Sequence, residues 1–418
     1  MNGMTGAAVA GSAGGGDVGR ARMMVFRAFL AQNVAVGSAF GGFGVSVLPL
    51  QQMYGASRGT TTLALALCVL VLGLVSPLVA TLIGRIGLRW TMMIGTLISG
   101  AGYALLAIAP SMPIVLLLYA LPIGVGLAMF GPFPSSVLAS NWFRLNPGPA
   151  LGVANMPLFV ALLPMVGLIL IRDHGLVAFY LTLAGLHVAL LPIILGVSDA
   201  PEGAAGQPGE GHGHGGGAMV PARTLLRSPA FWVMCLGAGY LNAVGITGVS
   251  HLVAFLAERG VAASAAAGLL SIMGAAAVIG SLAIGFLCGR FGAPIALAMI
   301  AAGLAVSWLA LLGTTSFPLM ALSTLMLGAG GAGVFPAVNM LSARLFGQAS
   351  LARAIGLFGL VTLPLTFFLP PLAGVLRDMV DGYLPVVMII IGGCILMMLI
   401  FLALARSGRQ VNARAVPV

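Results

Sequence analysis

Gly84-Arg85-Ile86-Gly87-Leu88-Arg89 is the stretch whose reading decides the fold. It lies between two long apolar runs. A shorter echo, Gly289-Arg290-Phe291-Gly292, stands between two apolar runs half a chain later. Each reads as a tight turn on the cytoplasmic side of a membrane, joining two spanning helices in one half of a duplicated chain. Glycine frees the turn and arginine keeps it at the aqueous face.

Composition agrees. Of 418 residues, 60% are hydrophobic and 6% charged, and the mean hydropathy is +1.13. A soluble protein of this size needs a charged surface that this chain cannot supply. A span takes about 20 apolar residues, so the length accommodates about a dozen. The 61 glycines suit close helix packing in lipid. The four cysteines, Cys68, Cys235, Cys288 and Cys394, fall inside apolar runs with no Cys-x-x-Cys pair and read as small buried hydrophobes.

The apolar runs are 24–48, 61–83, 91–109, 113–138, 148–171 and 176–196, then 230–257, 264–288, 293–313, 317–343, 353–376 and 382–405. The first is too long for a signal peptide and reads as retained. Residues 1–23 read as a disordered cytoplasmic tail, 197–228 as a flexible cytoplasmic linker and 406–418 as a second tail. The expected architecture is all-α, with twelve transmembrane helices in two six-helix bundles, 24–196 and 229–405. All 18 basic residues are arginine; this topology puts four of them outside, Arg58, Arg172, Arg259 and Arg377. That positive-inside bias also accounts for the net charge of +10 without a nucleic-acid partner.

The halves align at an offset of 204–205 residues. Arg85 pairs with Arg290, Gly87 with Gly292, Gly124 and Gly126 with Gly328 and Gly330, Pro132 with Pro336, and Ala150 and Gly152 with Ala354 and Gly356. Parallel six-helix repeats are a transporter architecture, with the binding site near the midplane between them.

With these motifs the chain resembles the major facilitator superfamily, whose loop between the second and third helices carries Gly-x-x-x-Asp-Arg-x-Gly-Arg-Arg. Here the corresponding residues are Ala80, Gly84, Arg85, Gly87, Leu88 and Arg89, and in the second half Gly285, Gly289, Arg290 and Gly292. The acidic residue is missing from both, so the resemblance implies a gate without its usual Asp-centred salt bridge. Arg85, Arg89, Arg144, Arg290 and Arg344 are then the cytoplasmic-gate candidates. Within the superfamily, several stretches resemble the monocarboxylate and oxalate–formate transporter group: Tyr54-Gly55-Ala56-Ser57-Arg58, Asn141-Trp142-Phe143-Arg144, Thr247-Gly248-Val249-Ser250-His251, and Pro370-Pro371-Leu372-Ala373-Gly374. That resemblance implies alternating-access transport of a small organic solute, an organic acid by analogy. Yet the chain has no Lys, and Ala276-Ala277-Val278-Ile279-Gly280-Ser281 holds no charge where the group often has one.

Ionisable residues inside a span are costly and mark function. Only His187 in the sixth span and His251 in the seventh qualify. His187 reads as structural; His251 reads as the coupling candidate for protons. The uncharged cavity candidates are Asn33, Phe40, Tyr119, Phe130, Asn155, Asn242, Thr247, Phe335, Asn339, Thr362 and Thr366. They favour a neutral or amphipathic solute as the alternative substrate. Glu210, His212 and His214 are surrounded by glycine and read as plain linker, so no metal site is expected. No nucleophile–base pair and no nucleotide motif occurs, so neither an enzyme nor a cofactor is expected. The remaining expectations are a small-molecule substrate, a lipid bilayer as environment, protons as coupling partner, a monomer, and residence in the cell inner membrane with both termini cytoplasmic. A non-transporting receptor or assembly factor on the same fold is the reading from a different class.

Overall fold

A computed structural model describes residues 15–56, 58–143, 147–200 and 220–414. Among these residues, ten helices are long and apolar enough to cross a membrane. Two of them are double. Thr60–Leu106 turns at Gly87 (φ 82°, ψ 170°), and Pro147–Leu195 turns at Gly175 (φ 82°, ψ 171°). This backbone region is essentially closed to residues with a Cβ. Divided there, the ten become the twelve helices that the sequence leads one to expect.

We number them α1 (Val18–Tyr54), α2 (60–86), α3 (88–106), α4 (Met112–Trp142), α5 (147–174) and α6 (176–195). The second half holds α7 (Pro229–Glu258), α8 (Ala263–Phe291), α9 (Ala293–Gly313), α10 (Phe317–Phe346), α11 (Leu351–Val380) and α12 (Leu384–Arg414). Helix reaches further than the polar segments suggested: it starts at Gly15, inside the expected tail, and the linker holds a short helix, Ala222–Arg227.

The internal repeat is repeated in the packing. Gly292 (φ 89°, ψ 152°) takes the backbone conformation of Gly87. A Cβ on Gly124 would lie 3.0 Å from the Cys68 carbonyl oxygen of α2; one on its equivalent, Gly328, would lie 1.9 Å from the Met273 carbonyl oxygen of α8. Gly126 faces Ser99 of α3, and Gly330 faces Leu304 of α9. Backbones approach in this way only where no side chain intervenes.

The bundles meet on the side that carries the linker. On one flank, a Cβ on Gly285 of α8 would lie 2.5 Å from the Gly148 carbonyl oxygen and 2.8 Å from the Gly152 Cα of α5. Ser281 Oγ donates to the Gly152 carbonyl at 3.0 Å. On the other flank, a Cβ on Gly356 of α11 would lie 2.9 Å from the Ala80 Cβ and from the Ser76 carbonyl oxygen of α2. Gly152 and Gly356 are repeat equivalents, as are Ala80 and Gly285, so one contact is made twice. At the far side, Phe43–Tyr54 of α1 makes its main contacts within its own bundle.

The contact leaves no room for a side chain. Ser281 is fully buried beneath it. A Ser281→Cys reporter is expected to resist maleimide in the otherwise native protein and to react readily once Gly285→Val parts α5 from α8. Equal protection in both backgrounds would contradict this packing.

Candidate functional site

Three polar groupings punctuate the apolar bundles. The first is on the linker side. The missing acidic residue of the α2–α3 turn is replaced from elsewhere in the chain: Asp199, just past α6, accepts a hydrogen bond from the Leu88 backbone N–H at 2.9 Å. Its carboxylate caps the start of α3, where N–H groups have no intrahelical partner and the helix dipole favours negative charge. The segment around it is fixed at several points. Arg89 Nε donates to the Val197 carbonyl at 2.6 Å, Trp142 Nε1 to Ser198 O at 2.7 Å, Asn141 Nδ2 to Asp199 O at 3.0 Å, and Arg27 to the Gly196 carbonyl. Gln348 Nε2 in turn donates across the bundles to Asn141 Oδ1 at 3.4 Å. The far end of the linker is held by the other bundle: Val220 N–H donates to Ser350 Oγ at 2.9 Å, and Arg353 donates to Val220 O at 3.0 Å.

Of the gate candidates, Arg89 thus binds the Asp199 segment. Arg344 lies beside Gly292, and Arg290 stacks over Phe291 at 5.5 Å. Arg85 is exposed, and Arg144 lies outside the described residues. Asp199 was missed because nothing in the 110 or so residues between it and the turn signals their approach. The hint was that an arginine-rich turn had lost its own acid.

The second grouping sits in the first bundle, where α5 breaks. Its helical path stops at Ala154 and resumes at Leu158, because Pro157 cannot donate and disfavours helix in the residue before it. Asn33 of α1 repairs the break. Its Oδ1 accepts from Phe159 N–H at 2.8 Å, and its Nδ2 donates to Met156 O at 2.9 Å and to its own helix at Phe29 O, also at 2.9 Å. Asn155 exchanges hydrogen bonds with Ser136 of α4 and donates to Leu151 O. Both amides are therefore spent inside the protein. Facing the break, α1 carries a π-helical segment, Gly37–Gly42, whose Gly37 fits against Phe159.

The third grouping is in the second bundle. His251 Nε2 lies 2.9 Å from the Pro370 carbonyl, and Nδ1 lies 2.8 Å from Tyr383 Oη. A carbonyl only accepts, so Nε2 carries a proton. Nδ1 then accepts from the tyrosine when the ring is neutral and donates to it when the ring is charged. The imidazole therefore keeps both partners through protonation. Beyond it, the Tyr383 N–H donates to Glu258 Oε2 at 3.3 Å, and Glu258 Oε1 accepts from Arg377 Nε at 2.5 Å. Arg377 also stacks over the Tyr383 ring at 5.9 Å. Glu258, Arg377, Tyr383 and Gly374 line an open cavity of about 500 Å³.

The other candidates divide clearly. Tyr119 and Phe130 are fully buried in the core of the first bundle, against Phe43 and His187 respectively, not at a cavity wall. His187 is held by Ser99 and by Leu183 O, which fits the structural reading. Thr247, Thr362 and Thr366 bond back to their own helices, and Asn339 donates to Phe335 O. Phe40 is 36% exposed, and Phe335 is half-buried. Asn242 alone among the candidate amides has no partner among the described residues. Its helix packs Gly245 against Gly331 of α10 and Gly239 against Thr362 of α11. Asn242 lies between them, on the face that also exposes Ile246, Val249 and Ser250. The neighbouring helices α10 and α11 both touch the first bundle. The metal-poor expectation for Glu210, His212 and His214 lies outside the described residues.

A family model described as Major Facilitator Superfamily matches residues 29–362. The chain belongs to the major facilitator superfamily. No curated protein sequence matches it. Among solved structures, a variant of the E. coli fucose:proton symporter FucP is similar at a TM-score of 0.69 and 15% identity, covering 93% of this chain and 98% of that one. FucP in the outward conformation gives 0.69 and 16%, covering 92% and 99%. The human organic anion transporter MFSD10 gives 0.71 and 15%, covering 91% and 99%. These likenesses show the fold. This superfamily member is a multi-pass membrane protein with a transporter fold.

The partners of Asp199, Asn33 and Asn242 are tested by substitution. Replacing Asp199 with Ala in a purified sample should lower the melting temperature, at a cost of about 1 kcal/mol for the lost cap; an unchanged melting curve would remove the cap from the account. Asn33→Ala leaves two backbone groups unpaired and should cost about 1–3 kcal/mol. Asn242→Ala should leave stability intact while reducing solute uptake. The reverse ranking of melting temperatures would contradict these assignments.

Proposed function

We propose that the protein is a secondary transporter of the cytoplasmic (inner) membrane, with both termini and the linker cytoplasmic, moving a small organic solute by alternating access as a monomer. The observation that carries this reading is the pairing of two features. The bundles join on the linker side through small-residue contacts that can separate without breaking an ion pair, and α7 carries an unpartnered Asn242 between its contacts with α10 and α11. We take Asn242, with Phe40, Phe335 and Thr366, as solute contacts.

His251 is the group that takes up the coupling proton. Its setting between Tyr383 and Pro370 costs no hydrogen bond when the ring is charged. A monocarboxylate-like organic acid co-transported with that proton is the substrate class we favour, in keeping with the resemblance of the α7 and α11 stretches to that transporter group. The second reading is a neutral or amphipathic solute, supported by the uncharged exposed face of α7.

Counterflow of labelled organic acids in proteoliposomes tests transport directly, since a receptor binds without exchanging. For the coupling role, uptake by His251→Gln should lose the pH dependence of the native protein, and Tyr383→Phe should weaken it. A His251→Gln protein with the native pH profile rejects the role.

A further inference from the structure

The far-side cavity of about 500 Å³ is walled by Ala254, Ala257 and Glu258 of α7, Gly374 and Arg377 of α11, and Tyr383 just before α12. It reaches His251 at two points. A Cβ on Gly374 would meet His251 Cε1 at 3.5 Å and nothing else outside its own helix within 4 Å. The glycine therefore leaves the edge of the imidazole directly behind the cavity wall. Tyr383, in the same wall, shares a hydrogen bond with His251 Nδ1 at 2.8 Å. The other ring nitrogen faces the Pro370 carbonyl, which only accepts.

Tyr383 is held from three sides. Its N–H donates to Glu258 Oε2 at 3.3 Å, the Arg377 guanidinium lies over its ring at 5.9 Å, and Phe255 meets the ring edge-on at 6.1 Å. Glu258 and Arg377 are themselves an ion pair. Among the described residues, the charged and titratable groups at this end are Glu258, Arg259, Arg377, Asp381 and Tyr383. Asp378 follows Arg377 in the chain, and its side chain lies outside the described residues. Arg259 is turned to the Leu311 carbonyl and the Phe255 ring, and Asp381 closes α11. Of these groups, Tyr383 is the one that shares a hydrogen bond with the imidazole. Along α7, Ile246, Ser250, Ala254 and Glu258 are exposed at four-residue spacing beyond Asn242, which puts the cavity and Asn242 on one face of the helix.

We propose that the coupling proton enters from this far-side cavity and reaches His251 Nδ1 through the Tyr383 hydroxyl, with Gly374 as the opening beside the ring and Glu258 as the residue that positions Tyr383. This rests on the coupling role proposed for His251. Tyr383 passes its hydroxyl proton to Nδ1 and takes one from a hydronium ion in the cavity, which becomes water. The tyrosine ends as it began, and the imidazole carries the charge. Nε2 keeps its proton on the Pro370 carbonyl throughout. Proton and solute are then loaded along the same face of α7, as uptake by co-transport requires.

A His251→Cys reporter reads the access without any transport, because the four native cysteines are buried. In membrane vesicles of known orientation, a membrane-impermeant trimethylammonium thiosulfonate should label it from the far side and not from the linker side. Gly374→Val should slow that labelling at least tenfold, and Gly374→Ala should slow it less. Labelling from the linker side, no labelling, or a rate that Gly374→Val leaves unchanged overturns the proposal. With His251 intact, Gly374→Val and Glu258→Ala should each move the pH profile of uptake to lower pH, since a hindered route needs more hydronium. A profile that falls in height and keeps its midpoint makes both residues merely structural and overturns the route as well. The coupling role fails separately: a His251→Gln protein with the native pH profile rejects it whatever the labelling shows.

Discussion

The structure depends on one contact made twice: a glycine of the fifth helix of one repeat pressed against the second helix of the other. Gly152 meets Gly285, and Gly356 meets Ala80. In lipid there is no hydrophobic force to drive two apolar helices together, so close van der Waals approach and carbonyl contacts supply the attraction. Such an interface is strong while the surfaces are flush and vanishes with a small tilt. A protein that must open and close requires that property. It also explains why these positions hold only glycine or alanine and carry no charge.

The remaining polarity follows from keeping that contact available. The turns at Gly87 and Gly292 hold adjacent helices at fixed angles. Asp199 brings the charge that the first of these turns lacks, and the linker is tied at 196–200 to the first bundle and at Val220 to the second. In the first bundle, Asn33 lets α5 break at Pro157 without leaving orphan backbone groups in hydrocarbon. The second bundle instead holds His251 between Tyr383 and the Pro370 carbonyl near the far end of α7. The bundles are related by sequence, yet their polar groups differ: a bridged helix break in one, a His251–Tyr383–Glu258–Arg377 hydrogen-bond chain in the other.

Much of this was legible from the residues. The repeat offset, the arginine asymmetry and the Gly-Arg turns specify twelve helices, and the glycines at 87 and 292 adopt the backbone those turns require. The amide candidates were harder. A buried Asn reads the same in sequence whether it faces a solute or staples a helix, and only spatial neighbours distinguish Asn33 from Asn242. The cap by Asp199 was out of reach because a contact across more than a hundred residues leaves no periodic trace. Aromatics such as Tyr119 and Phe130 mislead for a related reason: the core of a membrane bundle is as aromatic as its pore.

The most direct measurement is the distance between spin labels on Ile86 and Phe291, one at each repeat's turn on the linker side, with a second pair on Met53 and Met379 at the far side. All four positions are exposed. The account predicts a short, narrow linker-side distance at rest. A transported solute should add a longer population there while shortening the far-side pair. Distributions that stay fixed at both sides with transported solute would contradict alternating access about the Gly152–Gly285 and Gly356–Ala80 contacts.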